Sequence, residues 1–394
     1  MKKAYAVIGA NFGDEGKGLM TDYFCRNNAN TINIRTNGGA QAGHTVCTAK
    51  GERHVFSHIG AGYFAGADTY LSEFFIVNPM LFSKEKNILG DLKQKIFTDE
   101  RCRLTLPCDM LLNQFAERIR DEKRHGSCGT GIFETITRCE IPENRILYGE
   151  IKDIPDYIPE LAEKIKNINQ GYCLERAENL GITRENSPEF FELLENENIT
   201  LNYINDLFEM RKICRVCDEK IIENYETAVF EGAQGLLLDR DRKDYFPHLT
   251  PTNTGMKNIR DILNRLEKRD VEICYVTRSY FTRHGAGRFD TECKALKEIY
   301  NLYDSTNVTN EFQGNFRYGW FDLPEFMNSL KIDGKYAEKD KISIAVTHLD
   351  MTDGMVVCPT GKLMPEDIAY MARAIKVYKS FGETAEDIQE QEKI

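Results

Sequence analysis

The sequence has no apolar run approaching the roughly 18–20 residues of a transmembrane helix, so no helical membrane partner is expected. Proline is scarce, with 11 residues against 29 glycines, while apolar residues make up 41% and charged residues 29%. That balance excludes collagen-like repeats, intrinsic disorder and small disulfide scaffolds. A surplus of positive charge is also missing: 51 Lys and Arg face 62 Asp and Glu, a net charge of −11. Such a surface repels a phosphate backbone, so nucleic acid is not an expected partner and an anionic substrate must be captured in a local cleft. The N-terminus does not read as a signal sequence, because only residues 4–8 are apolar before Gly9. The 12 cysteines are scattered and read as reduced thiols of a cytoplasmic protein. Cys214 and Cys217 form a Cys-x-x-Cys pair in a charged, helix-like stretch, but two further ligands at short spacing are absent and a zinc site is not expected.

At 394 residues the chain is long for one ordinary domain, although single α/β domains with insertions reach this size. Residues 4–9 read as a strand, followed by a glycine-rich turn and a helix from about Leu19 with Met20, Tyr23 and Phe24 on one face. Short apolar runs at 31–34, 70–77, 227–230, 273–277 and 342–347 recur between helix-like segments, as buried parallel strands do. Pro79 opens the helix after the run 70–77. The expected fold is therefore α/β, with a central, mostly parallel sheet and glycine-rich loops at its strand ends. Between about 159 and 226, Lys, Glu and Asn dominate, and Leu201, Ile204, Leu207 and Phe208 fall at helical spacing, predicting a helical insertion within a single domain spanning 1–394. Glu185-Asn186-Ser187-Pro188 reads as a helix-start turn there.

Three loops carry chemistry. Gly13-Asp14-Glu15-Gly16-Lys17-Gly18 lets the backbone approach an anion and leads into a helix N-terminus, which favours phosphate. It is not a Walker A loop, because Asn11 stands where that pattern needs Gly and Gly18 where Ser or Thr follows the Lys. Asn37-Gly38-Gly39-Ala40-Gln41-Ala42-Gly43-His44-Thr45 adds a titratable imidazole. Phe230-Glu231-Gly232-Ala233-Gln234-Gly235 closes another strand, where ligands of open α/β sheets lie.

With Thr282-Arg283-His284-Gly285-Ala286-Gly287-Arg288-Phe289-Asp290-Thr291-Glu292 and Thr347-His348-Leu349-Asp350, these loops appear in the order seen in adenylosuccinate synthetases, which the chain resembles from residue 4 to about 387. The resemblance implies a C–N bond-forming ligase that joins L-aspartate to C6 of a 6-oxopurine nucleoside monophosphate. IMP is the default acceptor, GTP or ATP the phosphoryl donor, and a 6-phosphoryl species the intermediate. It implies Mg²⁺, with Asp14 and the Gly43 carbonyl as metal ligands, and a homodimer. Asp14 would be the base at N1, His44 would stabilise charge at the 6-oxygen, and Gln234 completes the implied catalytic set. Gly13, Glu15, Gly16, Lys17 and Gly18 would hold the triphosphate, Asp350 its base, and Ser380 with Gly382 would cover it. Asn11, Gln41, Ser127, Cys128, Gln234, Thr250 and Arg283 form the implied purine-nucleotide set, and Asn315 and Arg317 the aspartate set.

Departures cluster on the acceptor and aspartate side. Gln41 replaces the usual Asn; the phosphate loop reads Gly126-Ser127-Cys128-Gly129-Thr130-Gly131-Ile132-Phe133-Glu134, without its Arg; and the arginine-rich aspartate loop is Asn310-Glu311-Phe312-Gln313-Gly314-Asn315-Phe316-Arg317. His348 stands where the family has Lys. Two alternatives therefore stay open: a dGMP-specific branch serving diaminopurine DNA, and a non-catalytic nucleotide-binding paralogue. Arg138 and Arg145 are both candidates for the arginine that crosses a dimer interface.

Overall fold

A computed structural model of the chain describes residues 2–121, 126–152, 157–304, 306, 315–337 and 340–392. Ten strands form the central sheet: β1 (Lys3–Gly9), β2 (Thr31–Arg35), β3 (Asp68–Leu71), β4 (Ile96–Asp99), β5 (Cys214–Cys217), β6 (Thr227–Gly235), β7 (Asp270–Arg278), β8 (Lys341–Thr347), β9 (Lys376–Ser380) and β10 (Ile388–Glu392). Their spatial order is β10-β9-β8-β7-β1-β6-β2-β3-β4-β5, all parallel except the antiparallel edge pair β9 and β10. Alternate residues serve opposite faces: Ala6, Ile8, Phe230, Ile273 and Ile344 pack into one apolar cluster, whereas Val7, Val229, Cys274 and Ala345 pack into another. Both faces are covered, which is why the strands read as continuous apolar runs and not as alternating ones.

Helix α1 (Lys17–Arg26) starts two residues before the expected Leu19 and buries Met20 and Phe24. Helix α2 (Pro79–Leu89) opens at Pro79, as expected, with the Asn78 side chain accepting the Leu81 N–H. The run 70–77 is not one strand: β3 ends at Leu71, Phe75 N–H turns back to Ser72, and Ile76–Val77 pairs instead with Arg103–Leu104.

Helices α3 (Pro107–Arg120), α5 (Tyr157–Ile168), α6 (Leu174–Asn179), α7 (Pro188–Glu195) and α8 (Glu197–Ile213) share a separate core beside β4 and β5, and α4 (Ile132–Cys139) packs on α3. Helix α7 starts at Pro188, after the turn expected there. In α8 the buried stripe is Tyr203, Ile204, Leu207 and Met210, while Leu201 is exposed, so the helix is rotated from the expected face. The expected insertion to 226 is corrected at its end: Cys214–Cys217 is an edge strand paired with β4, not part of a helix. Its β-branched Val216 and the exposed edge position suit a strand, and local charge had masked this. All twelve cysteines are free, and among the described residues no group of three His, Cys, Asp or Glu is placed to hold a metal. Among the described residues no helix is long and apolar enough to cross a membrane.

Candidate active site

The carboxyl ends of β1, β2, β6, β7 and β8 point the same way, and their loops enclose a cavity of about 1210 Å³. This is where an open parallel sheet exposes strand-end loops and leaves a crevice. The glycine loop after β1 uses left-handed backbone at Gly13 (φ 96°), Asp14 (φ 62°) and Gly16 (φ 100°), and it brings the N-terminus of α1 to the cavity wall. Gly18 has no space for a side chain, since a Cβ would stand 2.8 Å from the Thr45 carbonyl and 3.0 Å from His44 Cβ. A Walker-type hydroxyl is therefore sterically excluded at that position.

Glu15 and Lys17 form a buried ion pair at 2.5 Å, and the other Glu15 oxygen accepts the amides of Asn11 (3.0 Å) and Gly13 (2.8 Å). Glu15 thus braces the loop from behind and does not line the cavity, whereas Lys17 does. Asp14 faces the cavity with His284 Nε2 at 3.9 Å, and its carbonyl accepts from Arg278 Nε at 2.5 Å. Burial pushes the Asp14 carboxyl up, opposed by the positive charge of His284, Arg278 and Lys17.

His44 Nδ1 is in very short contact with a Glu231 carboxylate oxygen, and the other oxygen accepts the Ala61 amide at 3.1 Å. Buried Arg35 lies 3.8 Å from the same carboxylate. Burial works against ionisation of Glu231, but Arg35 and His44 outweigh it and hold the carboxyl at about 2. Burial also lowers His44, against the pull of Glu231. We assign the shared proton to Nδ1, which leaves Nε2 for the cavity.

Most of the expected residues meet here. Gly13, Asp14, Gly16, Lys17, Gly18, Gln41, Gly43, His44, Ser127, Cys128, Gln234, Thr250, Arg283, Asp350 and Gly382 all line the one cavity. Five are placed otherwise, the first being Glu15, which braces the glycine loop from behind. The Asn11 side chain is buried behind the loop, donating to Thr277 Oγ1 at 2.7 Å. Ser380 is buried, its hydroxyl donating to the Gly382 carbonyl at 2.9 Å. Arg317 clamps Glu292 with both ends of its guanidinium and donates to the carbonyls of Gly285 and Gly287, one strand removed from the cavity wall. Asn315 joins the same strand pair through its carbonyl, which accepts from Gly285 N–H. Residues 310–314 of the expected aspartate loop lie outside the described residues. Arg138 is corrected as a candidate for crossing a dimer interface: it is fully buried and forks onto Asp109 at 2.8–2.9 Å.

Three site residues have no role in the sequence reading: Glu231, Arg278 and His284. Arg278 closes an apolar strand run at its carboxyl end, beside β1, and that position was the available signal. Arg278 also donates to Asp304 Oδ2 at 2.7 Å on the cavity wall. On the far side, Asp350 is exposed on the cavity wall near Glu383 and Asp387, and partial desolvation raises its carboxyl. For Mg²⁺, the donors present are oxygens, the Asp14 carboxylate and the Gly43 backbone, both on the cavity wall. A hard cation that takes few protein ligands and shares substrate phosphates fits such a set.

The family model described as adenylosuccinate synthetase matches residues 6–392. The adenylosuccinate synthetase of Wolinella succinogenes is 27% identical over 397 residues, covering 96% of this chain and 88% of that protein. That of Mesoplasma florum is 29% identical, covering 93% and 82%. In structure, fully ligated adenylosuccinate synthetase from Plasmodium falciparum superposes with a TM-score of 0.71 at 18% identity, covering 98% of this chain and 99% of that one. Cyanophage S-2L succinoaminodeoxyadenylate synthetase, bound to dGMP and dATP, gives 0.62 at 14% identity, covering 99% and 95%. At these identities the two structures establish the fold. With a family match across nearly its whole length, the chain belongs to the adenylosuccinate synthetase family of carbon–nitrogen bond-forming ligases.

Proposed function

We propose that the chain joins the amino group of L-aspartate to C6 of a 6-oxopurine nucleoside monophosphate, IMP by default, at the expense of GTP or ATP. The observation that carries this reading is the convergence of Asp14, Lys17, His44 and Gln234 on one cavity. A purine 6-oxygen is a poor leaving group, so it is phosphorylated first and then displaced by the amine. Asp14 removes the N1 proton, which lets negative charge gather on the 6-oxygen for attack on the γ-phosphorus. His44 Nε2 faces that oxygen. Negative charge from the substrates favours the doubly protonated ring, with Glu231 holding Nδ1–H while Nε2–H donates to the transferring group. Displacement of phosphate by the aspartate amine then forms the C–N bond.

The loop from Asp14 to Gly18 presents amides to the triphosphate, with Lys17 beside it, and Asp350 accepts N–H donors of the donor base. Mg²⁺, held by Asp14 and the Gly43 carbonyl, would neutralise charge on the triphosphate. For aspartate, Asn315 and Arg317 are the available side, with Glu292 making the pairing that a substrate carboxylate would take over. In a homodimer, exposed Arg145 is the arginine left to reach a second copy.

The test is one activity matrix: IMP or dGMP, GTP or ATP, with aspartate and Mg²⁺, read as aspartate-dependent phosphate release. Release is expected with one acceptor and one donor. Turnover only with dGMP identifies the diaminopurine branch, and none with any pair removes the ligase reading in favour of a nucleotide-binding protein. Glu231→Gln keeps an acceptor for Nδ1–H but removes the charge that supports the imidazolium. It is expected to lower kcat by up to about 10³-fold, the worth of one such donor, with KM values little changed. An unchanged kcat with a lowered melting temperature would make Glu231 purely structural.

A further inference from the structure

The cavity has to hold two anionic nucleotides, and its cations are mostly committed already. Lys17 is paired with Glu15, Arg120 with Glu117 at 2.6 Å, Arg176 with Glu134 at 2.8 Å, and Arg278 with Asp304. Arg283 is buried, points into backbone carbonyls, and is lowered to about 10 by burial and by Arg317. The loop 126–134 contributes no cation of its own. Arg240 is different: it is exposed, lines the cavity, and its guanidinium has no carboxylate partner among the described residues.

The backbone explains where Arg240 points. Residues 238–240 and 250–252 run side by side, with Thr250 N–H donating to the Leu238 carbonyl at 2.8 Å and Arg240 N–H to the Thr252 carbonyl at 3.2 Å. Leu238 closes a short 3-10 turn (Leu236–Leu238) and the chain then turns at Arg240, and Leu238, Arg240 and Thr250 all line the cavity. The acidic neighbours face elsewhere: Asp239 accepts from the Thr254 amide at 2.6 Å, and Asp241 accepts from Asn253 Nδ2 at 3.1 Å and lies 3.7 Å from Lys257. A cation is thus presented to the cavity while the acids beside it are turned away and occupied.

We propose that Arg240 binds the phosphate monoester of the acceptor nucleotide, with the Thr250 hydroxyl beside it. The proposal rests on the ligase reading above. The glycine loop and Lys17 serve the triphosphate at the β1 end, which leaves the dianionic acceptor phosphate in need of a separate cation. Among the arginines that line the cavity, Arg240 is the exposed one that is engaged neither by a carboxylate, as Arg120, Arg176 and Arg278 are, nor by backbone carbonyls, as Arg283 is. Its planar fork suits two phosphate oxygens at once.

The test compares binding of IMP and dGMP with binding of inosine and deoxyguanosine by titration calorimetry, in the absence of triphosphate and aspartate. Arg240→Ala is expected to weaken the monophosphate by about 10- to 100-fold, the range for a charge-assisted contact, and to leave the nucleoside unchanged. Arg240→Lys is expected to recover part of the loss. Equal loss for nucleoside and monophosphate, or a rise only in the KM for aspartate, overturns the proposal. So does a phosphate-specific loss from Arg176→Ala with none from Arg240→Ala. If the wild-type chain binds the monophosphates and Arg240→Ala matches it, the proposal fails and the ligase reading stands. If the wild-type chain binds no purine monophosphate, both fail.

Discussion

Replacing Asp14 with asparagine is expected to lower kcat by about 10²- to 10⁴-fold, the range for loss of a positioned general base. Asparagine tolerates the left-handed φ of 62° as aspartate does, so the loop geometry survives the change. Binding of the purine monophosphate is accordingly expected to stay within a few-fold of wild type in calorimetry. The pH dependence gives a second readout. Asp14 must be ionised to accept a proton, and burial raises its carboxyl, so kcat/KM is lost as pH falls at a higher pH than an ordinary aspartate near 3.9 would dictate. Removing the positive neighbour in His284→Ala moves that acid limb further up, because one of the groups opposing the rise is gone. Turnover by Asp14→Asn within tenfold of wild type would take Asp14 out of the proton transfer.

The second large effect concerns stability. Arg138 and Asp109 are both fully buried, and Arg138 also donates to the carbonyls of Leu104 and Asn144, each at 2.6 Å. Asp109 accepts from the Leu106 amide at the start of α3 and from Thr135 of α4, so the pair ties two helices to the strand segment before them. Arg138→Ala leaves a buried carboxylate without its cation and two carbonyls without donors. A loss of about 3–5 kcal/mol is expected in urea unfolding followed by circular dichroism. Arg138→Lys keeps the charge but not the fork and falls between the two. Combining Arg138→Met with Asp109→Leu is expected to recover part of the loss, since no buried charge then remains, but not the cap on Leu106. A change below about 1 kcal/mol for Arg138→Ala would mean that water reaches the pair.

How much of this was legible in the chain depended on how local the signal was. The strands at 4–9, 31–34, 227–230, 273–277 and 342–347 were readable because both sheet faces are buried and each strand is apolar throughout. The edge strand Cys214–Cys217 was not, because an edge needs little apolar sequence and takes its conformation from pairing with β4. The face of α8 was misjudged for a similar reason: its neighbours, not its own periodicity alone, choose which stripe is buried.

The site shows the same division. Glycines, Asp14, Lys17 and His44 stood out because phosphate loops need close backbone approach and proton transfer needs a titratable group, and those demands are written in short segments. By itself the sequence determined the α/β class, the glycine loops at strand ends, the catalytic candidates and a family resemblance spanning most of the chain. The tertiary structure alone decided which charges are free to work. Glu15 and Arg138 are committed to buried ion pairs, the polar groups of Asn11 and Ser380 to buried hydrogen bonds, Arg317 is held by Glu292, and Glu231 stands behind His44. A side chain's charge is a property of its residue type. Whether that charge meets solvent, substrate or a buried partner is set by contacts between segments as far apart as the 187 positions separating His44 from Glu231.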